Sequence, residues 1–236
     1  MIALSPALAA WAHSHTPRRL ALLCLLGLFT ALPAVAQTLL LRNGDLLFVT
    51  AGGSGLSAAI DDATAHADTP GFDHVALLAI DADGQRVLHA DEHGSREQAL
   101  DEFLDQAHGR QRQVHVYRLR DAGPRVIARA VVAARGLLGR PYNPTYVPDE
   151  QRLYCSDMIE RAFRADAVFA LQPMNFRNPQ TGVIAPYWVD FYRSHGMDVP
   201  QGLPGSNPND MARSAALQPL GVLDSAPAAG LPRLPD

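Results

Sequence analysis

The chain has 236 residues, no lysine and a formal net charge of −4, with 20 basic residues against 24 acidic ones. Its arginines are scattered rather than grouped along one helix or strand, so the sequence does not predict a nucleic-acid-binding surface. The length is that of one domain of ordinary size with its own hydrophobic core.

The first 36 residues have the pattern of a secretory signal peptide. Arg18 and Arg19 precede an apolar run over residues 20–32, and an Ala-x-Ala tripeptide at 34–36 is typical of a cleavage site. The run is too short to span a bilayer comfortably, although an uncleaved membrane anchor is the alternative. We therefore expect a periplasmic or secreted protein that begins at Gln37 and has no stable membrane span.

Cleavage at this position removes Cys24 and leaves Cys155 as the single cysteine, so no internal disulfide can form. An unpaired thiol in an oxidising compartment is exposed to oxidation. A chain that keeps such a thiol is expected to use it in chemistry. The alternative is a buried cysteine that packs as a small apolar residue.

Hydrophobic periodicity and turn residues predict a mixture of strands and helices. The predicted strands cover residues 39–41, 45–50, 74–80, 86–90 and 113–119, and the predicted helices cover residues 56–65, 95–106, 124–138 and 153–165. Helix 95–106 rests on a capping box formed by Ser95 and Gln98. The irregular order of strands and helices favours an α+β fold. We expect one domain over residues 37–199 and a loosely structured, proline-rich tail over 200–236.

The segment that begins at Cys155 predicts an amphipathic helix. Apolar residues at 155, 158, 159, 162 and 163 share one helical face, and polar residues at 156, 157, 160, 161 and 164 lie on the other. Free N–H groups in the first turn of a helix favour a thiolate and can stabilise an oxyanion beside it. Cys155 is therefore the predicted nucleophile.

Two histidines flank a predicted four-residue loop at 81–84. In that register His74 faces Asp91 and His89 faces Ala76, so both imidazoles lie on one face of the sheet as diagonal neighbours. A three-residue loop would place them on opposite faces. We expect His74 to take the thiol proton and His89 to hold the second ring nitrogen of His74.

Residues 89–93 also offer imidazole and carboxylate ligands for a metal. His89 and His93 would converge on one ion only in a helix, whereas this stretch is predicted to be a strand followed by a loop. We therefore expect neither a metal nor another cofactor.

An ordered set of short segments carries a resemblance to a known family. The segments are GDLLF at 44–48, DHVAL at 73–77, VLHA at 87–90, LGRPY at 138–142 and YCSD at 154–157. With the histidine before the cysteine, the chain resembles the YiiX/YebB-like cysteine hydrolases, the circularly permuted branch of the NlpC/P60 superfamily. Many permuted members have glutamate where this chain has His89, while histidine is familiar there in the non-permuted enzymes.

The resemblance implies a papain-like fold in which helices pack on an antiparallel sheet or small barrel. It also implies hydrolysis or transfer at an amide or ester bond through a thiol acyl-enzyme, with a Cys155–His74–His89 triad. We expect Tyr142, Tyr154 and Ser156 to line the substrate or oxyanion site. Export favours an amide or peptide bond of the cell envelope as substrate. A lipid amide or ester hydrolase, an acyltransferase of the same fold and a non-catalytic binding module are the alternatives.

Overall fold

The computed structural model describes residues 39–223. The predicted signal peptide and residues 224–236 lie outside the described residues. No helix in the described part of the chain is long and apolar enough to cross a membrane.

The fold is α+β, as the sequence predicts, and its centre is a six-stranded antiparallel sheet with the order β4-β3-β2-β1-β5-β8. A short two-stranded sheet pairs β6 with β7. The strands are β1 (Leu46–Thr50), β2 (Phe72–Asp81), β3 (Gly84–Asp91), β4 (Gly94–Ala99), β5 (Val114–Leu119), β6 (Gln172–Met174), β7 (Leu203–Gly205) and β8 (Leu217–Val222). The helices are α1 (Gly55–Thr64), α2 (Leu100–Gly109), α3 (Pro124–Arg135), α4 (Cys155–Phe163), α5 (Pro186–Ser194) and α6 (Pro208–Ala212).

Each face of the large sheet carries its own hydrophobic core. Helix α4 packs on one face, where Met158 and Ile159 contact a cluster that includes Val75 and Leu77. Helix α2 packs on the other face, where Phe103 lies in a cluster with Ala76 and Leu78. Because successive side chains of a strand point to opposite faces, β2 supplies both cores with alternate residues. A third, aromatic cluster joins α5 to α1 and to the loop before α4.

The predicted register of the β2–β3 hairpin is confirmed. Leu77 pairs with Leu88, and the strands extend to the pair Asp81–Gly84, so the turn between them has two residues rather than the four expected. The shorter turn leaves the pairing unchanged because each strand gains one residue.

The predicted helix over 95–106 is wrong in its first half, which forms strand β4. The Ser95 hydroxyl does not cap a helix but donates to the carbonyl of Leu137 at 2.6 Å, and the Ser95 N–H donates to the carbonyl of Arg140 at 2.9 Å. Gly94 precedes it with φ +94°, and a Cβ there would lie 2.6 Å from the Arg140 carbonyl oxygen. Tertiary contacts with the loop after α3 therefore override the local capping signal. Residues 39–41, predicted as a strand, form none.

The expectation of a loosely structured tail is wrong for residues 203–222, which form β7, α6 and β8. Strand β8 pairs with β5 at the edge of the large sheet and buries Leu217. Pro219 is tolerated within it because an edge strand does not need every N–H for pairing. The compact part of the chain therefore extends well beyond residue 199.

Candidate active site

Cys155 is the first residue of α4, and its side chain faces inward as the sequence predicts. Tyr154 is the N-cap residue with an extended backbone, and its carbonyl accepts the N–H of Met158 at 3.0 Å. Cys155 is 5% exposed and belongs to the cluster between α4 and the sheet. The apolar stripe of α4 thus fixes the thiol against the sheet.

Part of the polar face of α4 is buried as well. Ser156, Asp157 and Glu160 are all buried. Arg161 donates to Asp157 at 2.8 Å, and Arg164 holds Glu160 in the same way one turn later. These pairs offset part of the cost of burying the carboxylates, although Oδ2 of Asp157 has no hydrogen-bond partner among the described residues. Helix α4 is therefore held from both sides.

The Cys155 thiol lies against the main chain of residues 73–75. Sγ is 3.9 Å from the carbonyl oxygen of Asp73. Burial raises the pKa of the thiol to about 11, although the backbone N–H groups of Val75, Ser156 and Cys155 itself oppose this shift. The N–H groups at the start of α4 are thus beside the sulfur as expected. Burial outweighs them, so the thiol is neutral in this conformation.

His74 and His89 are brought together by the hairpin register. Nε2 of His74 lies 3.0 Å from Nδ1 of His89, and both rings pack against Phe103. Burial lowers the pKa of His74 to about 3, with a further contribution from His89. Burial likewise lowers the pKa of His89 to about 4. Both rings are therefore neutral at physiological pH.

The thiol and the His74 ring belong to different faces of the sheet. Val75 shares the α4-side core with Cys155, so the preceding residue, His74, points to the α2 side, where its ring contacts Phe103. Among residues 39–223, no hydrogen bond joins Sγ to either nitrogen of His74, although the thiol borders the main chain on both sides of that residue. The pairing of the two groups stays a prediction, and it requires the thiol and the His74 ring to approach each other while Nε2 of His74 keeps its contact with His89.

Tyr142, Tyr154 and Ser156, the expected lining residues, all border the cavity that contains Cys155. The Ser156 hydroxyl donates to the carbonyl of Ser206 at 3.0 Å, and the Tyr154 hydroxyl accepts the N–H of Ser206 at 3.2 Å. Leu153 holds the segment around Tyr142 near the thiol. The Leu153 N–H donates to the carbonyl of Pro141, the residue before Tyr142, at 3.1 Å. A role in binding substrate stays a prediction for all three residues.

A buried ion pair beside the site was missed by sequence reasoning. Asp73 pairs with Arg112, and the Ser57 hydroxyl donates to the same carboxylate. The side chains of Asp73 and Arg112 are 7% and 15% exposed. In the sequence Asp73 is notable only because it precedes His74. Nothing in the local sequence of Arg112 indicates that this residue pairs with Asp73.

Asp91 is a second neighbour of the imidazoles. Its Oδ2 lies 3.9 Å from Nε2 of His89, which has no hydrogen-bond partner within the described residues. Arg96 donates to the same oxygen through Nε and Nη2 at 2.9 and 2.7 Å. The ligand atoms of Asp91, Glu92 and His93 lie within 4.8 Å of one another, so these three form the group within residues 39–223 that could hold a metal ion.

Comparisons with known proteins place the sequence and the fold in one group. Residues 40–221 match the family described as permuted papain-like amidase enzyme, YaeF/YiiX, C92 family. The fold is similar to the crystal structure of metalloprotein yiiX from Escherichia coli O157:H7, with a TM-score of 0.63 and 18% sequence identity. That likeness covers 76% of this chain and 96% of the other. No curated protein matches the sequence.

Proposed function

Because the chain belongs to the permuted papain-like amidases of the YaeF/YiiX, C92 family, we propose that Cys155 is the nucleophile with which it hydrolyses amide bonds. The family makes the chain a cysteine-type hydrolase, and Cys155 is the free cysteine of the described residues. The observation that carries the proposal is the position of Cys155. It is the first residue of a helix, with its own N–H and that of Ser156 beside the sulfur.

In the proposed reaction Sγ attacks the carbonyl carbon of the substrate while His74 removes the thiol proton. The developing oxyanion is stabilised by the backbone N–H groups at the start of α4. His74 returns the proton to the departing amine, and water then hydrolyses the thioester. Nε2 of His74 is engaged by His89 at 3.0 Å, so Nδ1, the nitrogen nearer to the main chain that the thiol contacts, is the one that serves as base.

His89 is proposed as the positioning residue of a Cys155–His74–His89 triad. Accepting the Nε2 proton of His74 at its own Nδ1 fixes the tautomer in which His74 can take a second proton. His89 is only 2% exposed, so its ring has little freedom to leave this position.

The hydrogen bonds that Asp91 accepts from Arg96 favour thiol chemistry over metal chemistry. Two nitrogens of Arg96 occupy one of its oxygens, and a cation bound there would have to compete with the guanidinium group. A binding module without turnover is the other alternative, and the activity test below separates it from an enzyme.

The decisive experiment compares the wild-type protein with Cys155→Ala on amide and ester model substrates and on cell-envelope extracts. Wild type is expected to release amines, and Cys155→Ala is expected to lose this activity by at least about 10³-fold. Val132→Ala, an exposed position on α3, is the control that keeps the activity. Mass spectrometry of Cys155 during turnover should show the acylated thiol. Equal turnover by Cys155→Ala would refute the nucleophile, and absence of turnover on all substrates would favour the binding module.

Export and a cell-envelope substrate complete the proposal. They are supported by the Arg-Arg, apolar and Ala-x-Ala pattern of residues 18–36. N-terminal sequencing of the protein recovered from expressing bacteria is expected to begin at Gln37, in the periplasmic or culture fraction. A product that retains Met1 in the cytoplasmic fraction would contradict export without affecting the assignment of the nucleophile.

A further inference from the structure

The Cys155 thiol borders a small cavity, here called the aromatic cavity, whose volume is about 50 Å³. Tyr146, Phe176 and Trp188 form much of its wall and belong to the aromatic cluster under α5. The reacting sulfur therefore faces a small, partly open space lined largely by aromatic rings.

The polar groups of these rings are turned away from the cavity or paired with each other. The hydroxyl groups of Tyr142 and Tyr146 are 3.4 Å apart, and Nε1 of Trp188 donates to the carbonyl of Ala59 at 3.1 Å. The wall therefore offers mainly carbon atoms to an occupant. A polar group placed there would lose its hydration and gain few hydrogen bonds, because the polar atoms of the lining are few, so the cavity favours an apolar group.

A second cavity, here called the charged cavity, is larger at about 440 Å³ and contains His74 and His89. Charged side chains from β2, β3, β4 and the loop between α2 and β5 line it, among them Arg96 and Arg110. Asp73 borders both cavities, as Tyr142 does, so the two spaces adjoin beside the thiol.

The chemistry assigns the two halves of an amide to these two spaces. In the acylation step a bond forms between Sγ and the carbonyl carbon, the C–N bond breaks, and the thiol proton passes through His74 to the amine. In the second step water supplies the hydroxyl to the acyl group and the proton that restores the thiol. Of the two cavities Cys155 borders only the aromatic one, and His74 borders only the charged one. The acyl group must stay with the sulfur, and the amine must leave past the histidine.

We propose that the substrate is an amide between a short apolar acyl group, held in the aromatic cavity, and a polar or charged amine held in the charged cavity. This inference rests on the proposed function of Cys155 and His74. An apolar cavity of about 150 Å³ is filled by benzene, so 50 Å³ takes an acyl chain of a few carbons or an alanyl side chain. A long lipid chain would have to extend out of this cavity, so its remaining carbons would gain no contacts there.

The test uses N-acyl derivatives of one charged amine, 4-aminobenzoate, with acetyl, butanoyl, decanoyl and succinyl groups. The expected kcat/KM is highest for the acetyl or butanoyl amide and at least about tenfold lower for the decanoyl and succinyl amides, since a pocket discriminates by roughly 10- to 200-fold per misfitting methylene. The uncharged aniline amides of the same acids are expected to be poorer substrates than the 4-aminobenzoate amides. A decanoyl or succinyl amide that matches the butanoyl amide overturns the inference.

A cavity-filling variant tests the location. Ala63 on α1 lines the aromatic cavity, and Ala63→Leu is expected to reduce kcat/KM for the butanoyl amide by about tenfold more than for the acetyl amide. Ala133→Leu, the same substitution at an exposed position of α3, is the matched control and leaves the ratio unchanged. An unchanged ratio in Ala63→Leu also overturns the location.

A readout without turnover separates this inference from the proposed function. Butyrate is expected to protect Cys155 of the wild-type protein from iodoacetamide at lower concentration than succinate or decanoate, as measured by mass spectrometry. If butyrate protects while no amide is hydrolysed, the proposed function fails and the cavity assignment stands. If Cys155 hydrolyses all the amides alike and butyrate does not protect, the function stands and the cavity assignment fails.

Discussion

Nε2 of His74 lies 3.0 Å from Nδ1 of His89, which places two neutral imidazoles, the first half-buried and the second buried, side by side at one end of the β2–β3 hairpin. A neutral imidazole carries one proton, so in the proposed triad Nε2 of His74 donates to His89 and the other nitrogen, Nδ1, is left as a base. His89 then keeps its own proton on Nε2, 3.9 Å from the Asp91 carboxylate. The groups therefore follow one another from the Asp91 carboxylate to the His89 ring and then to the His74 ring, whose main chain borders the thiol.

The role of His89 as an acceptor predicts different effects for two substitutions. His89→Ala removes the acceptor and should lower kcat by about 10²-fold, the lower end of what general acid–base catalysis contributes. His89→Glu restores an acceptor at that position and should retain more activity than His89→Ala, with a changed pH profile. The measurement is kcat as a function of pH for the three proteins. Equal loss in both variants would show that His89 only fills space.

Burial of the thiol predicts slow alkylation in the absence of substrate. With its pKa raised to about 11, Cys155 should react with iodoacetamide at neutral pH about two orders of magnitude more slowly than a free cysteine with a pKa of about 8.5. The rate should keep rising with pH beyond 9, and His74→Ala should leave this profile unchanged because the ring makes no hydrogen bond to the thiol. The rate is read from the mass of the peptide that contains Cys155. Fast alkylation at pH 7 that His74→Ala abolishes would instead reveal a preformed thiolate–imidazolium pair.

The two buried imidazoles predict a loss of stability in mild acid. The pKa of His74 is lowered to about 3 and that of His89 to about 4, whereas both titrate near 6.5 in the unfolded chain. The unfolded state therefore binds more protons below pH 6.5. The free energy of unfolding is highest above that pH and falls towards pH 4, by up to about 1.4 kcal/mol per pH unit for each ring.

Urea unfolding between pH 7.5 and 4.5 measures this slope. His89→Gln removes one of the two imidazoles and should reduce the slope by up to the contribution of one ring, about 1.4 kcal/mol per pH unit. The matched control is His108→Gln, at an exposed position of α2. Parallel pH profiles for wild type and His89→Gln would contradict the assigned pKa shift.

The Asp73–Arg112 pair predicts a strong asymmetry between single and double substitutions. Arg112→Met leaves the buried Asp73 carboxylate without its cation and should cost about 3–5 kcal/mol in the free energy of unfolding. Asp73→Asn combined with Arg112→Met removes both charges and should cost less than Arg112→Met alone. Chemical denaturation of the three variants measures the difference. A double variant less stable than Arg112→Met would mean that the pair contributes through packing and not through charge.

Much of the site could be predicted because it depends on short-range order. The apolar spacing of α4 fixes which way Cys155 faces, and the hairpin register fixes the neighbourhood of His74 and His89. Both are set by residues close together in the chain. The expected charge state of the thiol could not be settled in this way, because it depends on how deeply α4 is buried by elements remote in sequence.

The wrong or missing predictions have the same cause, because each concerns a contact between residues remote in sequence. The local sequence of Ser95 fits a capping box and predicts a helix, yet the Ser95 hydroxyl donates to the carbonyl of Leu137, 42 residues away. Residues 217–222 look irregular in composition, yet they complete the large sheet because β5 offers them an edge. Arg112 and Asp73 meet only once β5 lies beside β1 and β1 beside β2. Long-range pairing of this kind leaves no periodic signal in the sequence.

The engagement of Asp91 by Arg96 predicts that activity does not depend on a bound metal. Dialysis against EDTA should leave hydrolysis by the wild-type protein unchanged, and zinc titrated calorimetrically should show no tight stoichiometric site. Arg96→Gln would free the Asp91 carboxylate beside Glu92 and His93, whose side chains are 65% and 69% exposed, and should increase zinc affinity. The same variant leaves Cys155 in place, so any loss of hydrolysis in it reports on the orientation of His89 or on amine binding in the charged cavity, and not on the nucleophile. Inactivation by EDTA that zinc reverses in the wild-type protein would overturn the thiol mechanism in favour of a metal-dependent one.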